Sequence, residues 1–289
     1  MINLGRQAET LKKMAPENKM SRNFKVLTVS SGKGGVGKTN LVANLAYALV
    51  QRGRNVLVVD ADIGLNNIDI ILGMAPKYNI QHVLSGEKRI EEVIYDGPGG
   101  IKFLPASNGI QELTQLKNEA KMILLEELDR ISGSYDFLIF DTGAGISGNV
   151  TYFCSAAHDI LLVATTEPTS HTDVYALMKV LSQKYRQKRF RLIINMVGSE
   201  NEALDVFQRL SAVTDKFLAN VTLDYLGFIL SDPAVGKSVR QQKPFMEAYP
   251  HCKASGCINS LSEKLFLERN MVPREREQSY FWKSVLQAQ

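Results

Sequence analysis

Gly32-Lys33-Gly34-Gly35-Val36-Gly37-Lys38-Thr39 is the stretch of this 289-residue chain whose residue types and spacing do the most chemistry. Spaced as G-x-x-x-x-G-K-[ST], its glycines let successive backbone N–H groups converge on phosphate oxygens, and a helix starting behind them adds its positive end. Lys38 then reaches the β- and γ-phosphates, and the Thr39 hydroxyl ligands Mg²⁺. Gly32, Gly34 and Gly37 also spell the G-x-G-x-x-G of a dinucleotide turn, with Asp60 near the place of its ribose-binding acid. Lys38-Thr39 has no role in such a turn, so the pattern points to a nucleotide bound with Mg²⁺.

Two further segments supply carboxylates. The apolar run Asn55–Asp60 ends in Asp60-Ala61-Asp62, and the glycine-containing stretch Ile63–Asp69 that follows suits a nucleotide-sensing switch. Tyr135–Asp141 is a second apolar run ending in an acid, followed by Thr142-Gly143-Ala144-Gly145. In phosphate-loop enzymes an aspartate so placed holds Mg²⁺; this predicts Asp141 as a metal ligand and Gly145 as a backbone donor to the γ-phosphate.

These groups must be positioned by strands and helices. Val26–Ser30 reads as a buried strand running into the loop, and Leu41, Val42, Leu45, Ala46, Leu49 and Val50 have the spacing of a helix leaving it. Residues 80–95 read as short helical pieces and Ile101–Pro105 as a strand. Over residues 111–130, Leu113, Leu116, Ala120, Ile123, Leu124 and Leu128 fall on one helical face. Strands at Ile160–Thr165, Arg191–Asn195 and Leu223–Ile229 alternate with helices, one starting at Thr172, and the last strand leads to Asp232-Pro233. The expectation is an α/β fold, a mostly parallel sheet with helices on both faces and ligands at the strand C-termini.

Composition bounds the rest. A hydrophobic content of 45% allows a large core, organised here as one domain over residues 24–270 between a tail, 1–23, and a terminal segment, 271–289. The net charge of +4 is modest but local, with Lys184–Arg191 holding five basic residues and no acid. This points to an anionic surface more than to a nucleic-acid coat. Three cysteines give no even framework and suit a reducing cytoplasm; Cys252 and Cys257 lack zinc-pair spacing. No signal peptide and no membrane-spanning run is evident. As a helix, residues 278–289 would place Phe281, Trp282, Val285 and Leu286 on one face, with Lys283 near the rim, which suits weak, reversible membrane binding.

With these residues in place, the chain resembles the MinD/ParA group of deviant phosphate-loop ATPases. The motifs that carry the resemblance are Lys33 within the loop, Asp60-Ala61-Asp62-Ile63-Gly64-Leu65, and Asp141-Thr142-Gly143-Ala144-Gly145. Asn40, Thr166-Glu167-Pro168-Thr169 and Thr172-Asp173 make it most similar to the FlhG (FleN) branch, which controls flagellar number and placement. Gln7-Ala8-x-x-Leu11-Lys12 is similar to the D-Q-A-x-x-L-R segment that activates the flagellar GTPase FlhF, with Arg6 for Asp and Lys12 for Arg. The resemblance implies an ATP-dependent homodimer in which Lys33 reaches the partner's phosphates. Asp62 would position the attacking water and approach Mg²⁺ together with Thr39 and Asp141, while Asn195 and Asp232-Pro233 would lie against adenine. It also implies FlhF, flagellar switch or C-ring proteins, a transcription regulator and the inner face of the cell membrane as partners. A ParA-type DNA-partition ATPase and a MinD-type division-site ATPase are the alternatives.

Overall fold

The loop is carried by β1 (Lys25–Ser31), whose residues from Val26 to Ser31 are all buried, with Leu27 and Val29 facing one core and Val26 the other. The computed structural model describes residues 24–62, 67–106 and 118–271. The expectations for the tail, for Ile63-Gly64-Leu65, for Leu113 and Leu116, and for the terminal apolar face lie outside them.

Around β1 the sheet comprises β2 (Val56–Ala61), β3 (Tyr95–Asp96), β4 (Lys102–Leu104), β5 (Phe137–Ala144), β6 (Asp159–Ala164), β7 (Arg189–Val197) and β8 (Thr222–Leu230). The order is β3-β4-β2-β5-β1-β6-β7-β8, parallel throughout except for β3 on β4. The mostly parallel α/β sheet expected from the sequence is the one observed. One face is covered by α1 (Lys38–Gln51), α2 (Ile68–Leu72), α10 (Phe245–Ala248) and α11 (Lys253–Met271). The other is covered by α3 (Ile80–Leu84), α4 (Ile90–Val93), α5 (Asn118–Ser132), α6 (Gly148–Ser155), α7 (Pro168–Tyr185) and α8 (Glu200–Phe217). α9 (Pro233–Arg240) follows β8. Strands buried on both faces explain why they read as continuous apolar runs instead of alternating ones.

Two helices differ from expectation. α7 starts at Pro168, not Thr172, because proline is preorganised for the first helical position and Ser170 Oγ accepts from Thr165 N, fixing the entry. In α5 the buried stripe is Leu124, Leu125, Leu128 and Ile131, while Ile123 is 41% exposed. Lys121 belongs to that stripe; its Nζ lies 5.0 Å from the Tyr152 ring centre, so a charged residue hides a core position. All three cysteines are free thiols, and Cys154 is buried, its thiol pushed up to about 12 by desolvation. Among the described residues no helix is long and apolar enough to cross a membrane.

The basic stretch spans the end of α7 and the start of β7, at the edge where the parallel strands begin and opposite the phosphate loop. Arg191 is buried there, bonding Asp159 at 3.0 Å and Glu268 of α11 at 2.7 Å, while Lys25 reaches Asp159 at 2.7 Å. Burial alone would raise the Asp159 carboxyl, but Lys25 and Arg191 hold it below the ordinary range. Removing one partner of such a network leaves a half-buried acid unpaired. Arg191→Ala is therefore expected to cost about 3 kcal/mol in urea unfolding, with nucleotide affinity unchanged; a wild-type midpoint would show that the network adds nothing.

Candidate nucleotide-binding site

Strand register assembles the site. Asp141 on β5 stands beside Val29 of β1 on one side and Asp60 of β2 on the other, so both carboxylate strands end level with the start of the loop. The loop turns through Gly37, the N-cap of α1, at φ 88°, a conformation that favours glycine. A side chain there would also meet Asn195 Nδ2 at 2.4 Å. Gly32 abuts the α7 backbone at Asp173, whereas nothing comes within 4 Å of a Cβ built on Gly34 or Gly35. The outer rim of the loop is therefore open, as a phosphate cradle must be.

Lys38 opens α1 and is buried, its Nζ donating to Ser31 Oγ at 3.0 Å; Ser31 Oγ in turn donates to Lys33 O at 2.7 Å. Ser31 thus holds the ammonium in the place where phosphate oxygens are expected, a role the sequence pattern does not specify. Desolvation lowers the Lys38 pKa, and the Asp141 and Asp62 charges oppose that shift. The Thr39 side chain lies close enough to Asp141 to oppose the rise of its pKa, bringing two of the expected Mg²⁺ ligands together. Asp141 is fully buried and its pKa is raised to about 7, chiefly by desolvation. Asp60 beside it is driven well above the ordinary range by burial and by the Asp141 charge. Asp60 Oδ2 and Asp141 Oδ1 have no hydrogen-bond partner, which is costly for buried carboxyl oxygens.

Asp62 follows β2; its N–H donates to Asp60 Oδ1 at 3.0 Å and its carboxylate lies over Gly143, where a Cβ would come within 2.8 Å. Burial raises its pKa and Lys38 opposes the rise. No group of three or more acids, histidines or cysteines is close enough to hold a metal by itself among the described residues. Mg²⁺ in nucleotide sites takes one or two carboxylates and completes its shell with phosphate and water. The orphaned Asp141 oxygen beside the Thr39 hydroxyl fits that need.

Other expected residues are engaged within the chain itself. Lys33 Nζ is bound within its own chain, to Glu167 Oε2 at 2.6 Å and Thr169 Oγ1 at 3.3 Å at the start of α7, and remains 41% exposed. Gly145, at φ 86°, already donates its N–H to Ser31 O at 2.9 Å, so in this arrangement that donor braces the loop instead of facing a phosphate. Asn195 likewise braces the loop, Nδ2 donating to Val36 O at 2.7 Å and Oδ1 accepting from Met196 N. Asp232 caps α9, which Pro233 opens, and also accepts from Ala254 N; Asn40 Oδ1 is buried without a partner. Asp60, Ser31 and Glu167 are the site residues the sequence reading left unassigned. Asp60, as the acid at the end of β2, and Glu167, within Thr166-Glu167-Pro168-Thr169, carried a sequence signal but no role; Ser31 carried none.

A family model described as an AAA domain matches residues 24–194. Antiactivator FleN of Pseudomonas aeruginosa is 42% identical over 83% of this chain and 85% of its own. The flagellum site-determining protein YlxH of Helicobacter pylori is 34% identical over 90% of this chain and 89% of its own. Among solved structures, the cell division ATPase MinD of Pyrococcus furiosus superposes with a TM-score of 0.67 at 26% identity, covering 84% of this chain and 99% of that one. A parallel sheet with a phosphate loop after its central strand and two carboxylate strands beside it defines a phosphate-loop NTPase. The chain belongs to the MinD/ParA family of these ATPases, and over most of its length it is similar to the antiactivator FleN and the flagellum site-determining protein YlxH.

The site makes a pH prediction. Asp141 has a folded value of about 7 against an ordinary 3.8, so the folded state holds the extra proton. Its contribution to stability is complete below the unfolded value and is lost as pH rises through the folded one. Asp141→Asn, studied without nucleotide, should gain on wild type in thermal midpoint as pH rises from about 5 to about 8. A difference that stays constant over that range would remove the buried charge as the cause.

Proposed function

We propose that the protein is a Mg²⁺-dependent ATP hydrolase that dimerises with ATP, binds the inner face of the cell membrane reversibly and regulates flagellar number and placement. Its partners on this reading are the GTPase FlhF, flagellar switch or C-ring proteins and a flagellar transcription regulator. The supporting observation is the convergence of Lys38, Thr39, Asp62 and Asp141 under an open loop, in a chain 42% identical to FleN.

The chain's own residues supply most of the chemistry. Lys38 is already aimed into the loop and exchanges Ser31 for phosphate oxygens. Asp62 beside it carries a carboxyl raised by burial, which suits it to orient a water and accept its proton. Mg²⁺, when bound at Thr39 and Asp141, neutralises charge on the phosphoryl oxygens. Lys33, 41% exposed at the rim, is the cation that on this reading would reach the phosphates of a second subunit.

Lys38→Ala is expected to abolish nucleotide binding in calorimetry, and tight ATP binding by that variant would refute the loop assignment. Asp62→Ala should bind ATP and dimerise while turning over at least ~10²-fold more slowly; normal turnover would move the water-positioning role elsewhere. For the cellular role, the Asp62→Ala dimer serves as bait in a pull-down from the native cell, and deletion of the coding sequence is scored by counting flagella. Flagellar switch proteins in the eluate and altered flagellar number are expected; unaltered flagellation with no flagellar protein recovered would overturn the assignment.

A further inference from the structure

The edge of the sheet where the parallel strands start carries cations that the nucleotide site does not use. At this edge every acid of the network is engaged: Asp159 by Lys25 and Arg191, Glu268 by Arg191, and Asp224 by Arg189 at 2.6 Å. Lys184, Arg186 and Lys188 are exposed and have no ion-pair partner among the described residues. Arg186 sits at φ 56°, closing α7 so that the three side chains follow one another along the turn into β7.

Nearby, α8 ends in Phe217, 60% exposed, with Lys216 Nζ 5.2 Å from its ring centre and Val213 one turn earlier, 39% exposed; Asp215 is the exposed acid on that turn. An aromatic ring with an ammonium beside it is the pairing favoured at headgroup level. The Arg191–Glu268 contact brings the last turn of α11 to the same edge, so residues 272–289, with Phe281, Trp282, Val285 and Leu286, are joined to the chain there. Residues 1–23, with Arg6, Lys12, Lys13, Lys19 and Arg22, are joined there as well, next to Lys25.

We propose that this strand-start edge docks on an anionic lipid bilayer, with Lys184, Arg186 and Lys188 contacting headgroups beside the point where the terminal segment leaves α11. The inference rests on the membrane part of the proposed function and adds to it a protein surface that shares the binding with the segment. A juxtamembrane cation contributes enough that each one lost weakens binding about fivefold, and three about 100-fold, at low salt.

The test uses the full chain with MgATP and the triple variant Lys184→Gln/Arg186→Gln/Lys188→Gln, none of which lies near the nucleotide. Flotation with mixed phosphatidylglycerol–phosphatidylcholine vesicles is compared with pure phosphatidylcholine. Wild type should bind the anionic vesicles in a salt-sensitive way. The variant should bind them about 100-fold more weakly, with unchanged thermal midpoint, ATP affinity and turnover. Wild-type binding by the variant, together with loss on deleting residues 272–289, would overturn the surface and leave the membrane reading intact. Absence of wild-type binding to either vesicle would overturn both. Loss of affinity for a double-stranded DNA fragment, with vesicle binding unchanged, would reassign the cations to nucleic acid.

Discussion

Two buried carboxylates in adjacent register, Asp60 on β2 and Asp141 on β5, are the constraint around which the nucleotide edge is arranged. Burial raises both carboxyls, the Asp141 charge adds to the rise of Asp60, and Lys38, the cation at hand, is itself depressed by burial. The ligand-free site is therefore undercompensated on both sides. A phosphate alone would satisfy the lysine and aggravate the carboxylates, while a cation alone would do the reverse. On the proposed reading, a phosphate and a divalent cation together would settle both halves, which favours a metal-bound nucleotide over either component. The folded chain carries that imbalance because the surrounding β-strands, apolar on both faces, leave the two acids nowhere to turn.

The loop's two lysines differ in what holds them. Lys38 is buried and shares a hydroxyl that another backbone carbonyl also occupies, so leaving Ser31 is repaid only by a stronger acceptor. Lys33 sits in an exposed ion pair with Glu167, a class of contact worth about 0–1 kcal/mol. Freeing Lys33 thus costs little, and an anionic oxygen presented from outside the subunit competes for it easily. The general loop pattern leaves position 33 unspecified. The structure shows why a lysine is tolerable there: it has a weak resting place that does not block the cradle.

Much of this was legible in the sequence, and the exceptions have physical causes. Strands buried on both faces print as long apolar runs, so the sheet, its parallel sense and the placement of Asp62 just after β2 and Asp141 late in β5 could be read directly. Ile123 and Lys121 exchanged places because a lysine stem fills a core position when an aromatic face receives its ammonium, which no polarity pattern records. Gly145 and Asn195, expected on the ligand side, donate in this arrangement to Ser31 O and Val36 O, contacts between distant segments that no local pattern records. Ser31 and Glu167 act through contacts with residues whose partners only the tertiary fold selects.

The two edges of the sheet are electrostatically separate. β7 spans them with nine residues, from Arg189 to Val197, or roughly 25 Å at the usual rise per residue. Surface charges are screened over about 8 Å at physiological salt, so phosphate charge at the loop cannot retune Lys184, Arg186 or Lys188 at the other end. On the proposed reading, the nucleotide therefore acts on the membrane-facing edge by changing the number of subunits held together. Two weak attachment surfaces on one dimer bind with an effective concentration that neither has alone. A sheet packed on both faces suits that coupling, because it would present the same surface in either nucleotide state and leave stoichiometry as the variable.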